Sequence, residues 1–497
     1  MIKISDKIIK KQENFWNHCL FHPTDAIEDS WGKRILDRMA EDRAAKTIRI
    51  YTMLEDIVYI DMNGKLCYDF RANDLRLDYL TENGFDILLA VGAMPDCIAK
   101  SSKNKTSVSF NKTRYKGKMF NTSPPADYKV WEDVCYEYMK HIVERYGIER
   151  VSNWRIQCFN EPDIPDFFMS DLPHEAVADR VREYCKLYKA FSNAALRVSD
   201  ELKIGGPALA LYIEEFLIPW LEYVKAENLK IDFISYHNYG CLGFYDAKQL
   251  GVNAFNVENH FNKHQRLVNA VTKCGYQHLP IVMDEWGTVG GGFKNITQVP
   301  QLIFRETEVF PAFFAKFITK FIYSDYIVDK LMLCLSGQHE MTDEFTGFRG
   351  FFTMSSIAKP IYNGFVLAAK LKDNILHFSG SDNNTFVVPT KDENNNLSVL
   401  LSYSNDDFSE DLPEKTETVA FDKDISGKKV TVFCIDKTHT NPYRMFEKMG
   451  VDVPSAEQLE ILREEGRLKP IAEYIAGENE NITLKLTANS CVLITVE

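Results

Sequence analysis

Two short stretches of this chain end an apolar run on a carboxylate. Trp154-Arg155-Ile156-Gln157-Cys158-Phe159 leads into Asn160-Glu161-Pro162-Asp163, and Leu279-Pro280-Ile281-Val282-Met283 leads into Asp284-Glu285-Trp286-Gly287. Proline has no amide proton and cannot continue a central strand, so the first run must stop there. Both glutamates are then expected at the carboxyl ends of buried strands. A pair so placed suits an acid/base and a nucleophile working on one bond. Either motif alone is common by chance; the pair means something only if the chain between them brings both to one mouth.

The intervening chain has the grammar to do so. Apolar runs at 15–21, 47–51, 86–91, 154–159, 202–207, 231–240, 279–283 and 330–335 read as eight strands. Helical spacing falls between them at 31–45, 75–83, 130–146, 174–200, 213–228, 259–274 and 310–324. Eight strands alternating with helices spell an α/β fold, a (β/α)8 TIM barrel, with Glu161 on strand four and Glu285 on strand seven. An open doubly wound sheet is the alternative, but it calls for a glycine-rich phosphate turn after the first strand, and none is present. Residues 100–127 read as a polar surface insertion. Beyond about residue 365 short strands separated by Asn, Asp and Gly clusters take over, with a helical patch at 455–465. That is the pattern of a β-sandwich. The expected division is a barrel over 15–365 and a sandwich from 1–14 and 366–497, residues 1–14 forming an edge strand.

Composition bounds the partners. At 497 residues the chain is long enough for one large domain and a smaller one. Its formal net charge of −13 argues against nucleic acid or an anionic membrane and fits a neutral substrate. The beginning of the chain lacks the apolar core of a signal peptide, and no run approaches a membrane span. The 11 cysteines are scattered without a C-x-x-C pair, as expected of free thiols in a reducing cytoplasm. No metal or other cofactor is expected. The one close histidine pair, His260 and His264, lacks the glutamate of a zinc-protease helix and reads as a solvated helix face. The run Gly290-Gly291-Gly292 lacks the Lys-Ser/Thr of a phosphate loop. Homo-oligomerisation stays open.

Further stretches carry a family resemblance. Phe15-Trp16, Gly92-Ala93-Met94-Pro95, Pro124-Pro125-Ala126-Asp127-Tyr128, Asn160-Glu161-Pro162, Gly205-Gly206-Pro207-Ala208, His237-Asn238-Tyr239, Glu285-Trp286 and the tail segment 435–443 resemble, in order, glycoside hydrolase family 39 of clan A. That family includes bacterial β-xylosidases and α-L-iduronidases. The resemblance implies a retaining glycosidase, exo-acting on short oligosaccharides or glycosides. Glu161 would be the acid/base and Glu285 the nucleophile, with Asn160 donating to the sugar's 2-hydroxyl. It also implies that His237 and Tyr239 face the same mouth, that Arg49 orients Glu285, and that Trp286 walls the site.

Three positions depart from the xylosidase pattern. Tyr51 stands where a histidine is usual, Leu333 where a tryptophan is usual, and Ser336-Gly337-Gln338-His339-Glu340 replaces an Asp–Glu-Glu segment, leaving only Glu340 in line. All three are expected to line the subsite of the cleaved sugar, so another specificity (glucosidase, galactosidase or arabinosidase type) competes with β-xylosidase. A non-hydrolytic carbohydrate-binding barrel is the other alternative. A phosphorylase would want a basic pocket at the mouth, for which Arg349 and Lys294 look too isolated.

Overall fold

The computed structural model describes the chain apart from residues 22–26, 28, 108–118, 242, 244–247, 249–253, 255, 291–293, 336–340 and 407–410. Eight parallel strands close a barrel: His18–Phe21, Thr47–Tyr51, Asp86–Val91, Arg155–Cys158, Ile204–Leu209, Phe233–Cys241, Ile281–Val289 and Lys330–Leu335, each bonded to its sequence neighbours and the last to the first. A helix follows each strand, from Ser30–Glu41 after the first to Pro360–Ala369 after the eighth. The caps that end these helices are legible chemistry. The Asp29 carboxylate accepts the Gly32 amide at 2.8 Å, and that of Asp127 accepts the Lys129 amide at 2.7 Å. Gly147, at φ 80°, stops the helix Tyr128–Tyr146.

The period of two along each strand sorts side chains between two compartments. Leu88, Phe233, Val282 and Met332 fill the barrel floor. Leu20, Tyr51, Ala90 and Cys334 sit above them, packed with Met53 and Phe120. Outward residues such as Ile48, Ile50, Leu331, Leu333 and Leu335 join the large core shared with the helices. One local break matters. On strand seven the pairing with strand six slips between Met283 and Glu285, so Asp284 is an extra residue, a β-bulge. Val282 and Glu285 both face the barrel axis, although strict alternation would set them on opposite faces.

Nine further strands form one sheet that curls into a sandwich around Ile2, Ile4, Leu376, Val387, Val399, Val430 and Ile494. The N-terminal strand Ile2–Lys11 is not at an edge as expected. It lies inside the sheet, antiparallel to Asn374–Ser379 and parallel to Lys415–Phe421. The reason is the burial of Ile2 and Ile4, which a lone amphipathic edge would leave open on one side. Among the elements that escaped the sequence reading are a hairpin after strand two (Val58–Ile60 with Leu66–Tyr68), a second hairpin within the 100–127 insertion (Lys105–Ser107 with Met119–Asn121) and the helix Pro442–Met449. The latter carries a plain start signal, Asn441 as N-cap and Pro442 in the first turn. Sandwich and barrel are joined by buried polar contacts. Arg444 and Asn441 both donate to Glu308 at 2.8 Å, and Lys316 reaches the Asn405 carbonyl at 2.7 Å.

The histidine pair is a correction. His260 and His264 are buried, not a solvated face. His260 Nε2 lies 3.0 Å from the Gly287 carbonyl and His264 Nδ1 lies 2.6 Å from the Tyr236 hydroxyl. Burial depresses both imidazoles to about 4. They pack among Phe313, Phe317 and Phe321 behind strand seven. Of the glycine run, Gly291 and Gly292 lie outside the described residues.

Candidate active site

Strand four ends at Cys158, and the backbone then turns sharply: Phe159 and Glu161 both take left-handed φ values, 68° and 45°. Such conformations cost about 1–3 kcal/mol and persist only when their surroundings hold them. Here the Glu161 amide donates to the Ala208 carbonyl of strand five at 3.1 Å. Buried Asp163 accepts the Ala210, Leu211 and Tyr212 amides at 2.7–2.9 Å, which ties the two loops together. The turn directs the Glu161 side chain to the mouth, and the bulge at Asp284 directs Glu285 there from strand seven.

Between them stands His237, whose Nδ1 is 2.7 Å from Glu161 Oε1 and 3.5 Å from Glu285 Oε2. Ligating atoms of Glu161, His237 and Glu285 all lie within 4.8 Å of one another. Burial opposes charge on the imidazole, but Glu285, Asp284 and Glu161 together hold its pKa up at about 10. His237 is therefore an imidazolium at neutral pH, with Nδ1 donating to Glu161 and the Nε2 proton turned toward Asp284 Oδ1 at 3.8 Å.

The two glutamates are pushed apart. Burial raises the Glu161 carboxyl, the Glu285 charge adds to the rise, and His237 pulls the other way. Burial would raise Glu285 too, yet His237, Arg49, Arg349 and the Tyr239 hydroxyl bring it down to about 2. Arg49 Nη1 donates to Glu285 Oε1 at 2.9 Å, and its Nε faces Asp284 Oδ2 at 3.3 Å. The Tyr239 hydroxyl donates to Glu285 Oε2 at 2.8 Å. Its oxygen in turn accepts from Arg349 Nη1 at 2.6 Å, which fixes where its proton points. Gly287 leaves room for that ring, since a Cβ there would lie 3.2 Å from it. One carboxyl whose proton affinity is raised beside one whose proton affinity is lowered is the division of labour that acid/base and nucleophilic catalysis require.

Asn160 and Tyr51 complete the floor. Asn160 Oδ1 accepts from Arg49 Nη2 at 2.6 Å, and the Tyr51 hydroxyl lies 3.1 Å from it and 3.0 Å from Glu285 Oε1. With the oxygen so occupied, the amide orientation is fixed. The Asn160 Nδ2, buried and without a partner in the protein, is left for a ligand.

Arg49, Tyr51, Asn160, Glu161, His237, Tyr239 and Glu285 thus share one cluster. Two expected wall residues do not join it. Trp286 is fully buried on the opposite side of its strand, stacked on Phe314 at 5.9 Å and packed on Phe317 at 4.8 Å. Leu333, 2% exposed, pairs with it in register and lies in the same helical layer. Both are corrected by strand parity: Trp286, next after Glu285, and Leu333, next before Cys334, face outward. Glu340 lies outside the described residues. The sequence reading passed over three contributors. Cys334 is the inward residue of strand eight. Asp284 was read only as part of a strand end. Arg349 comes from the loop beyond strand eight, where no spacing signals it, and it forms with Tyr239 the basic corner that the sequence seemed to lack.

Comparison with known proteins agrees with this geometry. The model of glycosyl hydrolases family 39 matches residues 1–479. The chain belongs to this family. A β-xylosidase of Caldicellulosiruptor saccharolyticus is 28% identical over 521 residues, covering 99% of this chain and 97% of that one. An α-L-iduronidase of Homo sapiens is 26% identical over 170 residues, 33% of this chain and 21% of that protein. The crystal structure of a family 39 β-xylosidase from Caulobacter crescentus superposes with a TM-score of 0.78 at 20% identity, covering 100% of this chain and 99% of that one. The family 39 barrel with its β-sandwich is therefore the architecture of this glycosidase. Among the described residues no helix is long and apolar enough to cross a membrane.

Proposed function

We propose that this family 39 member is a retaining, exo-acting glycosidase of β-xylosidase type, with Glu161 as acid/base and Glu285 as nucleophile. One observation carries the reading: carboxylate oxygens of the two glutamates lie within 4.8 Å while their proton affinities are driven in opposite directions. A retaining pair stands about 5–5.5 Å apart and an inverting pair about 6.5–9.5 Å, because the latter must admit a water. Glu161 protonates the leaving oxygen as Glu285 attacks the anomeric carbon. Glu161, now a base, then takes a proton from the water that releases the sugar. Asn160 Nδ2 supplies the donor for the 2-hydroxyl, a contact that strengthens in the transition state. The burial of both carboxylates supports attack at a chain end.

The outward position of Leu333 removes one of the three changes that spoke against a xyloside, which returns β-xylosidase to the lead. Arg349 favours a second reading. Its side chain is nine-tenths buried, donates to the Tyr239 hydroxyl and, among the described residues, keeps a buried Nε without a partner. That donor suits a sugar carboxylate, as the α-L-iduronidase relative acts on an iduronide. The test is a panel of aryl glycosides (xyloside, glucoside, galactoside, arabinosides, glucuronide and iduronide), with the configuration of the first-formed sugar read by NMR. Release of xylose with its configuration kept is expected. An inverted product would remove the retaining mechanism, and no cleavage of any member would remove the glycosidase reading.

A further inference from the structure

Beside the catalytic cluster, on the side of strands two to four, a small hollow opens between Tyr51, Met53, Ala93, Phe120, Asn160 and Phe167, with Phe159, Ala90 and Gly92 completing its lining. It includes neither catalytic glutamate. It is small inside: the centre of a water-sized group can move through about 20 Å³, which is room for about one such group. Three phenyl rings, a thioether and two alanine methyls line it. Its polar edge is Tyr51, whose hydroxyl faces Glu285 and Asn160, and the Asn160 amide. The Asn160 Nδ2 protons are buried without a partner. A buried donor left unmet is costly, so the ligand must bring an acceptor to that edge. The apolar walls impose the opposite demand. A sugar hydroxyl pushed among them would lose its water and find no replacement.

We propose that this pocket reads a compact methyl-bearing substituent on the glycone. That substituent is an O-acetyl or O-methyl group on the ring carbon next to the hydroxyl that Asn160 holds. The substituent oxygen accepts the second Nδ2 proton while its methyl lies against Phe120, Phe167 and Met53. The opposite side of the sugar, toward Tyr239 and Arg349, presents polar donors. The inference rests on the glycosidase reading above and adds to it which decorated sugars the enzyme prefers.

The test compares aryl glycosides of the sugar that the panel identifies, unsubstituted and bearing 3-O-acetyl or 3-O-methyl. One buried methyl is worth about fourfold in kcat/KM, so a preference of about fourfold or more for the substituted glycoside is expected. Ala93→Leu, which fills the pocket with an apolar side chain, should bring the ratio of the two substrates to one or below. Phe120→Leu, which keeps the lining apolar but opens it, should retain a preference. Cleavage of the plain glycoside with no gain, or a loss, on substitution overturns this proposal while leaving the glycosidase intact. A gain that survives Ala93→Leu unchanged also overturns it. No cleavage of any member overturns the parent reading and this one with it.

Discussion

Replacing His237 by asparagine should move the whole pH–activity profile toward alkaline pH. The imidazolium stands 2.7 Å from Glu161 and 3.5 Å from Glu285, with its own pKa held at about 10. A unit charge at about 4 Å in a medium of effective dielectric ~20 acts with roughly 4 kcal/mol, part of which burial of the cation cancels. Neighbouring opposite charges lower carboxylate pKa values by about 1–3 units in practice. Loss of the cation leaves Glu285 harder to ionise, so the acid limb climbs by about 1–3 units from its native position near 2. Glu161 also loses a stabiliser of its ionised form and holds its proton to higher pH, so the alkaline limb climbs too. The assay is kcat/KM against pH on an activated aryl glycoside, which reports the free enzyme's coupled pair. Limbs that stay in place, or a shift toward acid, would refute the view that a charged His237 sets the two proton affinities. A second readout follows by linkage. A group raised from 6.5 to about 10 on folding stabilises fully below pH 6.5 and ceases to do so as pH rises through 10. Wild-type Tm should therefore fall across that window, and the slope should flatten in His237→Asn.

Other outcomes follow from the same geometry. Glu161→Ala should cost far more on glycosides with poor leaving groups than on activated aryl ones, and azide should restore turnover by attacking the glycosyl ester. Equal losses on both with no azide effect would remove Glu161 from the acid/base role. Glu285→Gln should leave less than about a thousandth of wild-type kcat, since both the covalent step and its charge are lost. Leu333→Ala should lower stability by about 2–5 kcal/mol in denaturant titration while leaving the ratio of activities across the glycoside panel unchanged; a changed ratio would place Leu333 in the site after all. Trp286→Ala should behave likewise at about 3–5 kcal/mol.

The barrel was legible because its strands are short apolar runs closed by turn residues, and because some helices carry readable caps, such as Asp127 at the start and Gly147 at the end of Tyr128–Tyr146. Glu161 and Glu285 were legible for the same reason, sitting where those runs stop. What the sequence hides is parity. A period of two tells which residues share a face only while the register is unbroken, and the extra residue Asp284 breaks it where the chemistry sits. Trp286 and Leu333, aromatic or bulky and next to the motif, looked like walls. The fold instead buries Trp286 against Phe310, Phe314 and Phe317, and Leu333 beside it in the same outer core. Cys334, smaller and unremarked, takes the inward place. Arg349 was hidden for another reason: its role depends on a contact with Tyr239, far away in the chain, and no local pattern encodes such a meeting. The N-terminal strand was misplaced because alternating isoleucines look the same whether one neighbour or two will pair with them.

The account turns on Glu285 forming a covalent bond to the sugar, and trapping tests that most directly. A 2-deoxy-2-fluoro glycoside of the preferred sugar with an activated leaving group slows both steps, so the glycosyl-enzyme accumulates. Mass spectrometry of the intact protein and of its peptides then locates the adduct. The prediction is one sugar per chain, on the peptide containing Glu285, lost on incubation with an acceptor alcohol as activity returns. An adduct on any other residue, or full turnover with an inverted product and no adduct, would contradict it.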